Sequence, residues 1–500
     1  MMRGREYIES LRRYKPAVYF MGKRIDCVVD EPMFRPHIHS AAMTYELAHD
    51  PRYEDVMTAK SHITGSKINR FTHIHQGVED LVKKVRMMRL LGQKTASCFQ
   101  RCVGFDALNT LYIVTYDIDK KYGTEYHQRF LDYLRRVQGE DLMCAGAMTD
   151  VKGNRGLRPS QQKDPDLYVH IVEKREDGII VRGAKTHITG AVNSHEVIVM
   201  PTRAMGPEER DYAVSFAVPV DAPGIIYVFG RQTNDMRRLD GDIDCGNAKY
   251  GLVGGEALII FNDVFVPWER VFMCGEYDFT GELVEVFTAY HRQNYGGCKV
   301  GVADVLIGAA ANIAEYNGVA NAPHIVDKLT EMIHLAETCW ACSLACSYEG
   351  FRTPSGAYMP NVLLANVTKL NVTRFPYEWC RLAQDLAGGL VTTAPSEKDY
   401  RNPETKAFIE KYLKGVAEVP TEHRLRMFRL IENLSLGPQL PECMHGAGSP
   451  QAQKIVIWRR GDVEMKKTFA KVIAGIKEDE HFKSIVGMSE SEFFKKLLKI

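Results

Sequence analysis

The sequence has no long apolar run and almost no net charge. It contains no stretch of about 18 apolar residues, so we expect no transmembrane helix. The formal net charge is +1, which gives no reason to expect a nucleic acid or a membrane surface as a partner. The opening residues, MMRGREYIESLRRYK, carry charges throughout and lack the apolar region of a signal peptide. We therefore expect a cytoplasmic protein.

Common nucleotide-binding and hydrolase motifs are also missing. No G-x-G-x-x-G motif follows a strand-like run, which argues against a Rossmann dinucleotide site. Neither a Walker A loop nor the G-x-S-x-G turn of the α/β-hydrolases occurs. Internal repeats and low-complexity tracts are absent as well. Hydrophobic residues make up 45% of the chain and charged residues 25%, so the composition is that of an ordinary globular protein.

The 500 residues are enough for roughly three domains, at about 150 residues each. Apolar residues recur at helical spacing early in the chain, at 45–57, 78–91 and 95–116. From about Leu167 the pattern alternates in short runs, with a turn at Glu176-Asp177-Gly178. We therefore predict an N-terminal helical domain at 1–144 and an antiparallel β domain at 145–275.

The last part of the sequence returns to helical spacing. Long patterns cover 302–316, 325–348 and 363–386, and the last of these suits a fully buried helix. Residues 437–453 are rich in Gly, Pro and Ser and predict an ordered loop. We predict a C-terminal helical bundle with a C-terminal extension at 276–500. The fold class is thus α+β and multidomain.

Two of the twelve cysteines lie close together in TASCFQRC. Because a cytoplasmic chain keeps its thiols reduced, we expect buried thiols, catalytic thiols or metal ligands here, and no disulfides. If 95–116 is one helix, Cys98 and Cys102 lie one turn apart on the same face. On these residues alone, two small buried side chains are the simpler interpretation, since free cysteine is commonly buried.

A second stretch, YHRQNYGGCKVG, changes that weighting. On a helix, one face carries His291, Tyr295, Cys298 and Lys299. A core or surface histidine is the simpler interpretation of His291 alone. However, four side chains that can titrate or bind a metal are unusual on a helix face that packs into a core. They are typical of a helix face that lines an active site. The Gly296-Gly297 pair costs a helix roughly 2 kcal/mol relative to two alanines, which a close approach or a kink would explain.

Three cysteines and one histidine suit either Zn²⁺ or an iron–sulfur cluster. Their spacing matches neither the zinc-finger nor the ferredoxin pattern, so it leaves both metals open. A competing C-x2-C-x3-C set consists of Cys339, Cys342 and Cys346. These cysteines have the i, i+3, i+7 spacing of a core-facing helix side, and their neighbours are Ala, Leu and Trp. We therefore expect them to be structural thiols.

Two segments of the predicted β domain, GAMTDVKGNRG and GAKTHITGAVNSHE, are polar and glycine-containing. The first offers backbone amides and a Thr hydroxyl near Lys152 and Arg155. Such groups suit a flavin edge or a pyrophosphate, although Gly/Asp/Asn clusters are usually turns. A second Gly-rich segment, MHGAGSPQAQK, is followed by Glu464. Periodicity gives no reason to regard Glu464 as more than a solvated helix residue.

Taken together, these segments resemble the 4-hydroxyphenylacetate 3-hydroxylase family of flavoproteins. Within it, the resemblance is to the branch that dehydrates 4-hydroxybutyryl-CoA. It runs from EYIESLRRY to about Gly475 and includes RMMRLLGQKTASCFQRCVG, GAMTDVKGNRGL, YHRQNYGGCKVG, TRFPYEWCRLAQDLAGG and MHGAGSPQAQK. The family has the acyl-CoA dehydrogenase-like fold, with a helical domain, a β domain and a four-helix bundle.

The resemblance also implies particular ligands and contacts. It implies a [4Fe-4S] cluster on Cys98, Cys102, His291 and Cys298, a set that the aromatic hydroxylases of this fold lack. It implies FAD contacts at Met148, Thr149, Arg155, Lys185 and Thr189, together with Gly388 and Gly389. It implies a catalytic set consisting of Gln100, His291, Tyr295, Lys299 and Glu464.

The activity implied by the resemblance is radical dehydration of 4-hydroxybutyryl-CoA to crotonyl-CoA by a homotetramer. Isomerisation of vinylacetyl-CoA is the expected side activity. The flavin would take and return one electron, while the cluster would act as a Lewis acid on the C4 hydroxyl. His291 would serve as a base, and Glu464 and Tyr295 would carry other protons. Lys299 would hold charge near the substrate, and Gln100 would donate a hydrogen bond.

Three other functions stay open. The first is a flavin-dependent aromatic hydroxylase of the same fold, against which the four cluster ligands argue. The second is an iron–sulfur electron carrier, which needs no base, CoA pocket or flavin loop. The third is a zinc-containing structural protein, which the metal content would test.

Overall fold

The computed structural model describes residues 1–233, 235–250 and 255–476. Helices come first, then most of the strands, then helices again, in the predicted order. The predicted C-terminal extension beyond residue 476 lies outside the described residues. The proposed boundaries near 144 and 275 coincide with the first and last strands of the four-stranded sheet, and they stay predictions.

The N-terminal part is mainly helical. Its helices are α1 (Gly4–Leu11), α2 (Arg35–Glu46), α3 (Glu54–Met57), α4 (Val78–Thr95), α5 (Cys102–Tyr122) and α6 (Tyr126–Glu140). Its short strands are β1 (Ala17–Phe20), β2 (Lys23–Ile25), β3 (Thr58–Lys60) and β4 (Lys67–Asn69). Most of α5 is buried, and its side chains form part of the main hydrophobic core.

Residues 95–116 do not form the single helix that their spacing predicts. α4 ends at Thr95 because Ala96 adopts a left-handed conformation with φ +48, and α5 begins only at Cys102. Gln100 is left-handed as well, with φ +69. Such conformations are costly for residues with a Cβ and stop a right-handed helix. The prediction that Cys98 and Cys102 share a helical face is therefore wrong, since Cys98 lies in the loop 96–101.

The β region contains two sheets. Its strands are β5 (Cys144–Ala147), β6 (His170–Lys174), β7 (Gly178–Thr189), β8 (Glu196–Val199), β9 (Val214–Pro219), β10 (Ile225–Phe229), β11 (Glu256–Pro267) and β12 (Val271–Cys274). The six-stranded sheet has the order β2-β1-β10-β11-β7-β6, and the four-stranded sheet has the order β12-β9-β8-β5. The predicted turn before Gly178 joins β6 to β7.

The N-terminal part contributes two strands to this β region. β1 pairs with β10 in parallel, and β2 pairs with β1. β5 and β8 also run parallel. The predicted antiparallel pattern therefore holds for the other pairs of these two sheets but not for these two. Buried side chains of both sheets pack with α5 and α6 in one hydrophobic core.

The C-terminal part is helical. Its helices are α7 (Thr280–Tyr316), α8 (Pro323–Tyr348), α9 (Val362–Val372), α10 (Phe375–Ala387), α11 (Leu390–Thr393), α12 (Glu397–Arg401), α13 (Lys406–Tyr412), α14 (Thr421–Leu436), α15 (Gln439–His445), α16 (Pro450–Arg460) and α17 (Val463–Ile473). A small hairpin, β13 (Phe351–Arg352) and β14 (Tyr358–Met359), lies between α8 and α9.

Two predictions for this part are wrong. Residues 363–386 form two helices, because Pro376 in the first turn of α10 lacks an N–H donor and its ring would clash with the carbonyl of Val372 in a continuous helix. Residues 437–453, predicted as a loop, contain α15 and the start of α16. The first difference concerns where helices begin and end, and the second is a short helix in a Gly- and Pro-rich segment; sequence periodicity determines both poorly.

Helix α7 is the central element of the bundle. Residues 277–316 match a membrane span in length and composition, with a mean hydropathy of 1.4 over an 18-residue window, but 61% of that window is buried inside the chain. α7 packs against α4, α5, α8, α9, α10 and α14. Its apolar composition is therefore that of a core helix.

Glycines allow α4 and α7 to approach each other closely. A Cβ at Gly297 would lie 2.6 Å from the carbonyl oxygen of Val85, and one at Gly92 would lie 2.6 Å from that of Cys298. A Cβ at Gly301 would overlap the carbonyl oxygen of Arg89. The neighbouring Gly296 faces the opposite side, where its Cβ would lie 2.8 Å from the carbonyl of Cys339 on α8. Close helix packing thus explains the glycine pair.

We expect Gly301→Ala to destabilise the protein by about 1–3 kcal/mol, because the added methyl group forces α4 and α7 apart. Gly308 lies in the same helix, and an added Cβ there would meet no atom within 4 Å. Gly308→Ala should therefore leave the thermal unfolding midpoint unchanged or raise it, because alanine favours helix by up to about 1 kcal/mol. Equal midpoints for the two variants would contradict close packing at Gly301.

Candidate active site

The loop 96–101 and helix α7 bring three thiols into one region. Cys298 on α7 packs against the hydrophobic cluster that contains Phe99 and Cys102. All three cysteines are free thiols. Burial raises the pKa of Cys98 and of Cys298 to about 12, and it raises that of Cys102 well above its usual value. The thiols also raise one another's pKa through their charges. They therefore stay protonated unless a cation replaces the proton.

No tight single-ion site occurs in the described ranges. Within residues 1–233, 235–250 and 255–476, no group of three or more His, Cys, Asp or Glu side chains is arranged to hold one metal ion. Two of the three competing thiols on α8 are core residues, as predicted, because Cys339 and Cys346 are fully buried. Cys342 is half-buried and accepts a long hydrogen bond from Asn371.

His291 lies on α7 with one ring nitrogen already engaged. Its Nδ1 lies 2.8 Å from Oδ2 of the buried Asp106 on α5. The imidazole stacks on Phe287, with ring centroids 5.5 Å apart, and meets the ring of Tyr295 edge-on at 5.7 Å. Because Asp106 occupies Nδ1, the nitrogen left for chemistry is Nε2.

Tyr295 and Lys299 meet at one carboxylate, Glu442, on α15. The Tyr295 hydroxyl donates to Oε1 of Glu442 at 2.8 Å, and the Lys299 ammonium forms a very short ion pair with Oε2. The side chains of Lys299 and Glu442 are 7% and 21% exposed, so this pair is shielded from solvent. The carboxylate thus links the phenol, through a hydrogen bond, to the ammonium, through an ion pair.

The charges of this cluster shift each member's pKa. Burial would raise the pKa of Glu442, but the ammonium of Lys299 outweighs it and the pKa is lowered. Burial would lower the pKa of Lys299, yet Glu442 and nearby thiols raise it well above its usual value. Burial, and then Glu442, raise the pKa of Tyr295. At neutral pH the cluster therefore holds an ionic pair and a neutral phenol.

Helix α15 is tied to the bundle by buried cations. Lys369 of α9 donates to the backbone carbonyl of Cys443 and lies over the Tyr295 ring, 4.4 Å from its centroid. Burial lowers the pKa of Lys369 to about 8. Arg292 donates to the carbonyl of Ala447 at 3.1 Å. These contacts fix the helix that delivers Glu442.

A second acid that the sequence reasoning missed is Glu256, at the start of β11. It accepts hydrogen bonds from Thr189 at 3.4 Å and from Gln232 at 3.1 Å. Burial, and then the charge of Glu442, raise its pKa to about 8. Neither acid had a sequence signal. Glu442 lies in the segment predicted as a loop, and Glu256 begins a strand with no motif around it.

Gln100 lies in the loop beside Cys98 and is fully buried. Its Nε2 donates to the carbonyl of His37 at 2.8 Å, and its Oε1 accepts from Asn193 at 2.9 Å. These two bonds hold the left-handed loop against α2 and the β region. A substrate contact by Gln100 stays a prediction.

The predicted flavin residues partly come together. Met148 and Thr149 follow β5 and are half-buried, and the carbonyl of Thr149 accepts from the Thr186 amide of β7 at 2.8 Å. The Lys185 ammonium binds Asp150 at 2.8 Å and the carbonyls of Met148 and Met200. The Lys185 side chain thus supports the loop that carries Met148 and Thr149. Thr189 ends the same strand, next to Glu256.

The other predicted residues lie on the surface. Arg155 is exposed in the loop after β5, and the turn of Gly388 and Gly389 is exposed between α10 and α11. Glu464 lies on α17, where its side chain is 76% exposed and pairs with Lys467 at 2.7 Å. The structure does not bring Glu464 to Tyr295 or Lys299, and Glu442 occupies that position. The roles of these surface residues stay predictions.

Comparison with known proteins agrees with this architecture. The family model described as 4-hydroxyphenylacetate 3-hydroxylase N terminal matches residues 3–273, and the corresponding C-terminal model matches residues 280–475. The chain therefore belongs to the 4-hydroxyphenylacetate 3-hydroxylase family, and the predicted acyl-CoA dehydrogenase-like fold class is confirmed.

Within the family, dehydratases are similar over nearly the full length. The 4-hydroxybutyryl-CoA dehydratase/vinylacetyl-CoA-Δ-isomerase of Clostridium aminobutyricum is 56% identical, with 95% of this chain and 100% of that protein covered. The structure of an oxygen-tolerant archaeal 4-hydroxybutyryl-CoA dehydratase from N. maritimus is 52% identical, with a TM-score of 0.93 and coverages of 98% and 99%.

Oxygenases of the family are more distant. The oxygenase component of 4-hydroxyphenylacetate 3-monooxygenase from Thermus thermophilus is 29% identical, with 87% of this chain and 88% of that protein covered. An oxygenase component of such a monooxygenase complexed with FAD is 25% identical, with a TM-score of 0.82 and coverages of 96% and 99%.

Because Glu442 compensates a buried ammonium, we expect Glu442→Gln to destabilise the protein by about 3–5 kcal/mol. Glu464→Gln removes the same charge from an exposed pair and should change stability by less than about 0.5 kcal/mol. Thermal unfolding of both variants under anaerobic conditions checks this. Similar losses for the two would mean that Glu464 is buried in the protein as purified.

Proposed function

We propose that this protein dehydrates 4-hydroxybutyryl-CoA to crotonyl-CoA and also isomerises vinylacetyl-CoA. The observation that carries the proposal is the 56% identity to a dehydratase/isomerase across 95% of the chain. Three thiols and an imidazole beside a buried proton-transfer cluster support it. The resemblance also implies a homotetramer, whose mass light scattering after gel filtration would test, and the charged N-terminal residues suit a cytoplasmic protein.

The reaction requires unusual help from the protein. The hydroxyl leaves from C4, whereas the acidic hydrogens are at C2, next to the thioester carbonyl, and the C3 hydrogen is not activated. FAD, when bound, would supply reversible one-electron oxidation, which acidifies the C3 hydrogen. The residues that would hold it are Met148, Thr149 and Thr189. The fit rests on three observations: all three residues are half-buried, the carbonyl of Thr149 is hydrogen-bonded to Thr186 of β7, and the Thr189 hydroxyl donates to the protonatable Glu256.

The proposed [4Fe-4S] ligands are Cys98, Cys102, His291 and Cys298. A cluster spreads its ligands over four corner irons, so they need not converge on one point as for a single ion. Two features fit such a group: one buried and two half-buried thiols near one another, and a histidine whose Nδ1 is held by a carboxylate, as metal-bound histidines usually are. When bound, the cluster would supply a Lewis acid for the C4 hydroxyl.

The chain's own groups provide the proton chemistry. His291 Nε2 would be a suitable base for a C2 hydrogen only when it is not bound to iron, because the lone pair that binds the metal is the one that accepts the proton. Glu442 shares a proton network with Tyr295 and is suited to the C3 and C4 positions. Lys299 keeps Glu442 ionised, and Glu256 carries a proton that can be donated at neutral pH. We propose Glu442 in the role that the resemblance had given to Glu464.

Anaerobic measurement of iron, sulfide and FAD per chain tests the cofactors. We expect Cys98→Ala to lower iron content and to reduce dehydration more than isomerisation, since isomerisation needs only acid, base and a CoA site. Cys342→Ala, a half-buried thiol on α8, serves as the control and should retain iron and both activities. If Cys98→Ala retains iron and dehydration, the ligand set is wrong. O₂ consumption with a phenol by the wild-type protein would instead favour the aromatic hydroxylase.

A pH profile tests Glu256. Its carboxyl is protonated below about pH 8 and loses the proton as the pH rises through that value. If Glu256 donates a proton, isomerisation should fall by about tenfold per pH unit above that value. Glu256→Gln cannot donate a proton. Its isomerisation rate should therefore be low and should not show this fall above about pH 8. If the isomerisation rate of Glu256→Gln still falls in the same way with rising pH, another group causes the pH dependence.

A further inference from the structure

A buried ionic network lies behind His291. Asp106 of α5 is fully buried and receives three contacts on its two oxygens. Oδ2 lies 2.8 Å from His291 Nδ1 and accepts from Asn294 Nδ2 at 2.6 Å. Oδ1 pairs with the ammonium of Lys84 on α4 at 2.7 Å. One carboxylate therefore joins α4, α5 and α7.

Lys84 is the buried cationic partner of this carboxylate. Lys84 is fully buried, donates to the carbonyl of Tyr290 at 2.9 Å and lies within 5.6 Å of the Phe105 and Tyr290 ring centroids. A buried ammonium without a counter-ion is very costly, and Asp106 is its direct partner. An ionised carboxylate accepts hydrogen bonds only, so Nδ1 of His291 must carry the hydrogen.

The orientation of the imidazole follows from this hydrogen. With Nδ1–H directed at Asp106, the lone pair of the neutral ring is on Nε2 and points away from the network. The stacking on Phe287 prevents the ring from turning freely. Asn294 and Lys84 hold the carboxylate itself, so they fix the direction of the imidazole through Asp106.

We infer that Asp106, anchored by Lys84, is a positioning residue that holds His291 in the Nδ1–H tautomer with Nε2 directed to the thiol ligands. This inference rests on the proposed function, because it takes Nε2 as the nitrogen that binds iron. It goes further in explaining why a histidine can complete a site of three cysteines. The competing explanation is that the network only stabilises the packing of α4, α5 and α7.

The test compares three variants purified anaerobically with ⁵⁷Fe. In Asp106→Asn, the amide of the new side chain can donate to Nδ1 and so favour the wrong tautomer, but Lys84 loses its counter-ion. Lys84→Met/Asp106→Asn removes both charges and relieves that instability. Asp117→Asn, on the same helix and outside the site, is the matched control.

Mössbauer spectra resolve a histidine-bound iron as a component distinct from the thiolate-bound irons. We expect both Asp106 variants to lose this component and to lose dehydration activity by about 10- to 100-fold. The double variant should recover the thermal midpoint that Asp106→Asn loses, without recovering the component. Asp117→Asn should match the wild-type protein in spectrum and activity.

The outcomes separate the two hypotheses. If the double variant regains both stability and the histidine component, the network is structural and the inference is overturned. If Asp106→Asn keeps the component, the tautomer does not depend on Asp106, which also overturns it. A wild-type spectrum without iron or without a histidine component would contradict the proposed cluster itself, and therefore the proposed function.

Discussion

The backbone contact between α4 and α7 is the constraint on which the rest of the site depends. α4 leads directly into the loop that carries Cys98, and α7 carries His291 and Cys298. Glycines at 92, 297 and 301 remove the side chains that would separate the two helices. Only at this distance can a thiol from the loop lie near a thiol from α7.

Buried ion pairs hold the side chains and the loop that surround the candidate site. Lys299 with Glu442, Lys84 with Asp106, and Lys185 with Asp150 are all largely shielded from solvent. Each pair links elements that are distant in sequence, and losing one partner would leave an uncompensated charge. The same pairs hold the groups that we propose for the reaction chemistry: a carboxylate, an imidazole and the loop proposed to contact the flavin. Stability and the proposed function therefore depend on the same contacts.

Much of the architecture could be predicted from periodicity and alternation. The order of helical, β and helical parts was predicted correctly, and so was the hairpin turn before Gly178. Helix ends were less predictable, because left-handed residues at Ala96 and Gln100 and the proline at 376 act locally against a continuing apolar pattern. Glu442 was missed because a Gly- and Pro-rich segment folded into a short helix held by Lys369 and Lys299.

The sequence by itself determined the residue types: the cysteines, the α7 stripe of His291, Tyr295, Cys298 and Lys299, and the family to which they belong. Those features depend on spacing within one helix, which local periodicity describes. Only the tertiary structure decided which carboxylates reach that stripe. Asp106, Glu256 and Glu442 come from three distant elements that long-range packing brought to one region, where burial and neighbouring charges shifted the pKa values of Glu256 and Glu442.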